Sequence, residues 1–253
     1  MNFPDTLIIR DLYQIKPQRP FAPGGEVAGI VEAIGESVTN FAVGERVLAV
    51  PGFGGFVSHI SVTADQAIKI PDNMPFEDAA CFIFTYGTSH YALRDRGILK
   101  PGETLLISGA AGGVGIAAIE IAKAMDAKVI AAVSSQEKAD FCLQIGADDA
   151  VIYPQKMDNE AQRTLSNNVK NIVGANGIDV VYDAVGGDYA EPLVRTMAWN
   201  GRFLVVGFPA GIPRIPLNLT LLKSCQIVGV FWGAFTSRYP KQHQNYLAEL
   251  FDM

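Results

Sequence analysis

Residues 108–118 read SGAAGGVGIAA, with glycines at 109, 112, 113 and 115. The stretch before it, TLLIS at 104–108, has the apolar pattern of a buried strand. The stretch that follows, VGIAAIEIAKAMD at 114–126, has the period of an amphipathic helix. The glycines therefore fall where a strand hands over to a helix, the context a dinucleotide-binding turn requires. Gly112 would let the backbone approach a pyrophosphate, and Gly115 would let the helix pack closely on the strand. The free amides of the helix start, aided by the helix dipole, would hold the anion. Ala110 stands where the GxGxxG fingerprint has its first glycine, so the motif reads AxGxxG. A packing turn without a ligand is the competing reading. The surrounding pattern weighs against it.

From residue 104 onward the chain alternates. Apolar β-like runs at 104–108, 128–133, 150–153, 178–182, 202–206 and 226–231 are separated by helical stretches, clearest at 114–126 and 136–145. Near-continuous apolar strands suit a parallel sheet covered on both faces. The alternation predicts an α/β fold with a doubly wound parallel sheet. Before residue 75 the composition differs. Gly and Pro punctuate short β-like runs at 26–34, 46–50, 56–62 and 67–70, which predict an antiparallel, barrel-like unit. Residues 75–96 turn helical, with Glu77 and Asp78 in a first turn. Two domains are expected, a mainly β unit at 1–84 and a Rossmann unit at 85–253.

The choice between NAD and NADP can be read from charge. An NAD site places an Asp or Glu at the end of the second strand, to bond the ribose 2′-hydroxyl. Here that strand ends in KVIAAVSSQEK, so Ser134 and Ser135 stand where the acid would be, and Lys138 follows within a helical turn. Hydroxyls and a cation suit a 2′-phosphate. Glu137 is adjacent but should lie on another face of the helix. The residues favour NADP, against the alternative of Lys138 as an ordinary solvated side chain.

Composition narrows the rest. The 253 residues are 49% hydrophobic and carry a net charge of -6, enough for a large core and without the basic footprint of a nucleic-acid binder. No secretory signal pattern opens the chain. The uncharged stretch 104–119 is too short to span a bilayer. Cysteines at 81, 142 and 225 are isolated, which fits buried thiols in a reducing, cytoplasmic compartment. The histidines at 59, 90 and 243 form no metal-ligand spacing, so no metal is expected. His59 reads as a strand residue and His243 as a surface one. No GxSxG elbow supplies a hydrolase nucleophile. Asp183, ending VVYDAVGG, reads as a turn former before Gly186 and Gly187 or as a residue lining the crevice; no partner nearby in sequence favours the second, so the turn is preferred.

Five segments together resemble one family: PGGEVAGIVEAIGESVTNFAVGERV, LKPGETLLISGAAGGVGIAAIEIAKAMDAKVIA, IGADDAVIY, GIDVVYDAVGG and GRFLVVGF. They are similar to the medium-chain dehydrogenase/reductase superfamily, and within it to the zinc-free, zeta-crystallin-like NADPH:quinone oxidoreductases, of which AAGGVG is typical. The resemblance spans nearly the whole chain. It implies a GroES-like catalytic domain, a Rossmann domain and NADPH. Zinc-dependent relatives carry a Cys where Asn2 stands, a His where Gly25 stands and a second Cys where Phe84 stands, so the resemblance implies hydride transfer without metal. Relatives also begin with further strands before the segment that opens at Met1 and continue past the one that ends at Met253. The β unit is accordingly expected to be partial, with unpaired strand edges.

Carried over by position, the phosphate turn is Ala111, Gly112, Gly113 and Val114. Ser134 and Lys138 meet the 2′-phosphate, and Tyr153 the adenosine end. Thr88 matches a threonine beside the nicotinamide. Gly207, Phe208, Phe231 and Trp232 match loops along the nicotinamide half, with core aromatics as the plain alternative for the last two. Tyr13 and Asn2 match the residues that line the substrate pocket, and they are the candidate catalytic positions. The implied activity is NADPH-dependent reduction of a quinone or related conjugated carbonyl, with the proton coming from solvent or Tyr13. The alternatives are an enoyl-thioester or enone reductase, and a catalytically weak NADPH-binding sensor, structural protein or remnant. The apolar late strand QIVGVFWGAF implies a homodimer.

Overall fold

The computed structural model describes all 253 residues, in two compact units, Met1–Thr85 and Tyr86–Met253. The first contains α1 (Phe3–Ile9), β1 (Val27–Ile30), β2 (Arg46–Ala49), β3 (Ala67–Lys69) and α2 (Phe76–Ala79). The boundary falls inside α3 (Ile83–His90). The strands form a three-stranded antiparallel sheet in the order β1-β2-β3, with Val27 opposite Ala49 and Val47 opposite Lys69. Leu48, Ala49, Ile8, Ala79 and Ile83 are buried in this unit. Arg46 fastens the sheet to the chain entering α2: its guanidinium donates to the carbonyls of Asp72 and Met74 and lies 4.5 Å over the Phe76 ring.

Two expectations for this unit need correction. The unit is an open three-stranded sheet rather than a barrel. Residues 56–62 form no strand. The chain instead meets a distant loop at its start, the amides of Gly55 and Phe56 donating to the Gly24 and Pro23 carbonyls, and Val57 closes a tight turn onto the Gly55 carbonyl. His59 is accordingly exposed in irregular chain, 3.3 Å from Glu32. The helix α1 was not legible in the apolar pattern.

The second unit continues with a wide π turn (Tyr91–Arg96) and then β4 (Thr104–Ser108), α4 (Gly113–Ala124), β5 (Lys128–Val133), α5 (Gln136–Gln144), β6 (Asp149–Ile152), α6 (Asn159–Val173), β7 (Ile178–Asp183) and α7 (Ala190–Val194). It ends with β8 (Met197–Val205), α8 (Asn218–Lys223), β9 (Gln226–Gly229), α9 (Trp232–Arg238) and α10 (Pro240–Asp252). Six parallel strands run in the order β6-β5-β4-β7-β8-β9. Leu105, Leu106, Ile107, Val129, Ile130, Val180, Val181, Phe203 and Leu204 are buried between helices on both faces. Each contributes about 2 kcal/mol of transfer free energy. The strand order reverses between β4 and β7, so the crevice for a ligand opens at the carboxyl ends of those two strands.

The alternation from residue 104 is thus a doubly wound parallel sheet. The helix α6 is capped by Asp158, whose carboxylate accepts the Ala161 amide at 2.9 Å, and it turns Leu165 and Val169 inward. No helix is long and apolar enough to cross a membrane.

His243, expected at the surface, is half-buried on α10. Its ring lies edge-on to Trp232 at 5.7 Å and Phe235 at 6.3 Å. Burial pulls its pKa from 6.5 down to about 4. The unfolded chain therefore takes up a proton near pH 6.5 that the folded site refuses. The His243 contribution is complete above that pH and is lost as pH falls toward 4. Thermal midpoints measured across this window should drop with acidification, and His243→Phe should flatten the slope. An unchanged slope in the variant would refute the assignment.

Candidate functional site

The glycine-rich turn closes on itself before α4 begins. The Gly112 amide donates to the Gly109 carbonyl at 2.9 Å, and Gly109 adopts a φ of +69°. Gly112 is the N-cap of α4 and offers no side chain to its first-turn amides, so those donors remain for a ligand. Gly115 packs against the turn itself. A Cβ there would lie 2.5 Å from the Gly109 oxygen and 2.6 Å from the Ala110 oxygen. Ala111, Gly112, Gly113 and Val114 are all at least half-exposed or partly open around this turn.

At the end of β5 the two serines divide the work. Ser135 is the N-cap of α5, its hydroxyl accepting the Lys138 amide at 3.3 Å. Ser134 is left to the side chain of Lys138, whose Nζ lies 3.1 Å from its Oγ. A hydroxyl and an ammonium group are thereby held side by side at the surface. Glu137 is exposed and takes no part in the pair.

The other positions separate by environment. Tyr153 is buried; its ring meets Tyr189 edge-on at 4.9 Å, and burial pushes its hydroxyl up to about 12. Thr88 is partly exposed on α3. Its neighbour Ser89 donates to the Val114 carbonyl at 2.8 Å and shares a hydrogen bond with Tyr182, which ties α3 to the first turn of α4. Gly87 lies flat on the Trp232 indole, where a Cβ would sit at 3.0 Å. Phe231 and Trp232 therefore differ: Trp232 is buried core and Phe231 is exposed. Gly207 follows β8, with its amide bonded to the Asp183 carbonyl at 3.2 Å, and Phe208 is exposed beside it. All twelve cofactor positions lie in the second unit.

Asn2 and Tyr13 lie in the first unit. Asn2 is held twice: its amide N–H donates to Asp5 at 2.7 Å, and its side-chain Nδ2 donates to Glu26 at 2.7 Å. The second Glu26 oxygen accepts the Phe84 amide at 3.0 Å. A Cβ on Gly25 would touch the Phe84 ring at 2.9 Å. Asn2, Gly25 and Phe84 are therefore gathered around one buried carboxylate. Burial raises the Glu26 pKa against those hydrogen bonds. Asn2, Asp5, Gly25, Glu26 and Phe56 line a cavity of about 320 Å³. Tyr13 is half-buried, which raises its hydroxyl pKa. Nowhere do three or more His, Cys, Asp or Glu side chains gather as a metal site would need.

The roles of Ser89, Ser108 and Glu26 were not legible in the sequence because their partners are 24 to 93 residues away along the chain. It also favoured Asp183 as a plain turn former. Asp183 does cap the turn after β7, but it is buried and bonded to Ser108 at 2.5 Å.

The family model for the alcohol dehydrogenase GroES-like domain matches residues 1–72, and that for zinc-binding dehydrogenases matches residues 113–249. The chain is 38% identical to quinone oxidoreductase-like protein 2 of Rattus norvegicus over 97% of its own length and 67% of the relative's. It thus spans about two thirds of the length of such relatives. Among solved structures it is similar to the quinone oxidoreductase of Pseudomonas syringae, at 32% identity with a TM-score of 0.88 over 100% of this chain and 76% of that one. It is likewise similar to the Escherichia coli quinone oxidoreductase complexed with NADPH, at 31% identity and a TM-score of 0.86, with coverage of 100% and 76%. Two matching domains in sequence order, and identity across nearly the whole chain, lead to one conclusion: the chain belongs to the medium-chain dehydrogenase/reductase superfamily, in its quinone oxidoreductase group.

Proposed function

We propose that this chain is an oxidoreductase that uses NADPH to reduce a quinone or a related conjugated carbonyl, without a metal ion. The observation that carries the reading is the Ser134–Lys138 pair at the end of β5, where an NAD site would place a carboxylate. The uncapped first turn of α4 beside it fits a pyrophosphate. Bound there, NADPH supplies the hydride. The amides of Gly113, Val114 and Gly115 hold the diphosphate, and Lys138 neutralises the 2′-phosphate. Tyr153 and Thr88 bound the adenosine and nicotinamide ends, with Gly207, Phe208 and Phe231 along the nicotinamide half and Trp232 supporting them from the core.

The N-terminal unit serves as the catalytic domain and residues 86–253 as the cofactor domain. Tyr13 carries its proton at neutral pH as any tyrosine does, and burial raises its pKa further, so it is fit to donate a hydrogen bond to a substrate carbonyl. Asn2, its amide fixed by Glu26, lines the acceptor pocket. An amide, a bare backbone and a phenyl ring at Asn2, Gly25 and Phe84 are poor zinc ligands, which supports a reaction without metal. Cys142 and Cys225 are buried, whereas Cys81, expected to be buried, is exposed; three unpaired thiols support a cytoplasmic location.

The test is NADPH consumption by the purified chain with ortho- and para-quinones, alongside enones and enoyl thioesters. Quinone turnover is expected. Turnover of enones or enoyl thioesters alone would move the substrate class, and NADPH binding without any turnover would mark a nucleotide-binding protein. The edge strand β9, with Ile227 exposed and Leu221 and Leu222 exposed on α8, supports a homodimer formed across that edge. Sedimentation should give twice the mass of the 27.2 kDa chain, and a monomer at all concentrations would overturn it.

A further inference from the structure

Asp183 ends β7 beside the point where the strand order reverses, with β4 on one side and β8 on the other. Its side chain is buried, yet only one of its oxygens is used. Oδ1 accepts the Ser108 hydroxyl at 2.5 Å and the amides of Val185 and Gly186, both at 3.1 Å. Oδ2 has no partner. The Ser108 oxygen in turn accepts the Ala184 amide at 3.2 Å. The Asp183 backbone carbonyl takes the amides of Val206 and Gly207 at 2.9 and 3.2 Å.

One residue thus joins three segments: the end of β4 just before the glycine-rich turn, the loop after β7, and the loop after β8. The packing between them leaves little slack. A Cβ on Gly109 would meet Val185 at 3.0 Å, and one on Gly186 would meet Phe208 at 2.5 Å. The Ala210 amide closes back on the Val185 carbonyl at 3.0 Å. An ordinary turn-capping aspartate needs none of this burial, and leaving a buried oxygen unpartnered is destabilising.

We propose that Asp183 is a positioning residue for the dinucleotide, fixing the turn that binds the diphosphate against the loops that border the nicotinamide half. The inference rests on the NADPH reading above. Burial also raises the pKa of this carboxyl group against those hydrogen bonds. Asparagine should serve in its place, because its carbonyl oxygen can accept the same three donors.

The test compares the full chain with Asp183→Asn, Asp183→Ala and Ser108→Ala by calorimetric titration. Two ligands are used, NADPH and adenosine 2′-monophosphate, whose phosphate engages the Ser134–Lys138 pair away from the three joined segments. D183A should weaken NADPH about tenfold, as losses of supporting contacts commonly do, and leave adenosine 2′-monophosphate unchanged. D183N should restore NADPH affinity to within about twofold of the parent, since its oxygen keeps the same acceptor role. Unchanged NADPH affinity in D183A, or a parallel loss of both ligands, would overturn the proposal. So would a D183N variant as weak as D183A. If D183A does not fold, S108A decides: it should weaken NADPH about threefold, the worth of one hydrogen bond, and equal affinity refutes the role. A parent chain that fails to bind NADPH would overturn the cofactor reading itself, and this inference with it.

Discussion

Lys138→Glu should weaken NADPH binding about a hundredfold while NADH binding changes little. Hydrogen bonds to charged groups are worth about 1.5–3 kcal/mol, and reversing the sign adds repulsion, so about 3 kcal/mol is at stake. The fold should not suffer. Ser135 is the N-cap of α5, and position 138 is the third helical residue after it. A glutamate there would complete a capping box with Ser135 and favour the helix dipole. Thermal midpoints at or slightly above those of the parent are therefore expected beside the loss of NADPH. The parent's preference for NADPH over NADH should also narrow as salt rises, because the pair is exposed. Equal losses for both cofactors in the variant would refute the assignment of Lys138.

Gly115→Ala should damage both stability and cofactor binding. The added Cβ meets two backbone oxygens at 2.5 and 2.6 Å and the Ala110 carbonyl carbon at 2.7 Å. Backbone atoms in a closed turn cannot swing aside, so the start of α4 must move by about 1 Å. Overpacking of this kind costs about 2 kcal/mol, or roughly 5 °C in thermal midpoint. The same movement carries the amides proposed to hold the diphosphate out of place, and NADPH affinity should fall by about tenfold or more. Gly112→Ala is the control. Its Cβ approaches only the Gly109 oxygen, at 3.3 Å, and its φ of -88° suits any residue. G112A should melt like the parent and still lose NADPH affinity, because the methyl group occupies ligand space. A G115A protein with parent-like melting and binding would show that the turn tolerates what the distances forbid.

The parallel sheet was legible in the sequence because its strands are apolar on both faces. The runs at 104–108 and 128–133 match β4 and β5 residue for residue. The N-terminal unit was less legible. At 56–62 the composition reads as a short β-like run, but the Phe56 amide bonds to the Pro23 carbonyl of a distant loop and no ladder forms. Composition records which side chains avoid water and says nothing of where the amides bond. His243 failed as a surface residue for a related reason: its aromatic neighbours on α9 become neighbours only after two helices pack.

The sequence by itself determined the doubly wound sheet, the glycine-rich turn at a strand-to-helix junction, and the hydroxyls and cation in place of an acid at the end of the second strand. Each is a local property, set by period, by backbone freedom or by charge within a few residues. Only the tertiary structure decided which serine caps α5 and which pairs with Lys138, that Trp232 is core while Phe231 is exposed, and that Glu26 gathers Asn2, Gly25 and Phe84. It also gave Asp183 its partner, Ser108, 75 residues away on the neighbouring strand. These are contacts between segments distant along the chain, and they exist only once folding has brought the ends of different strands together.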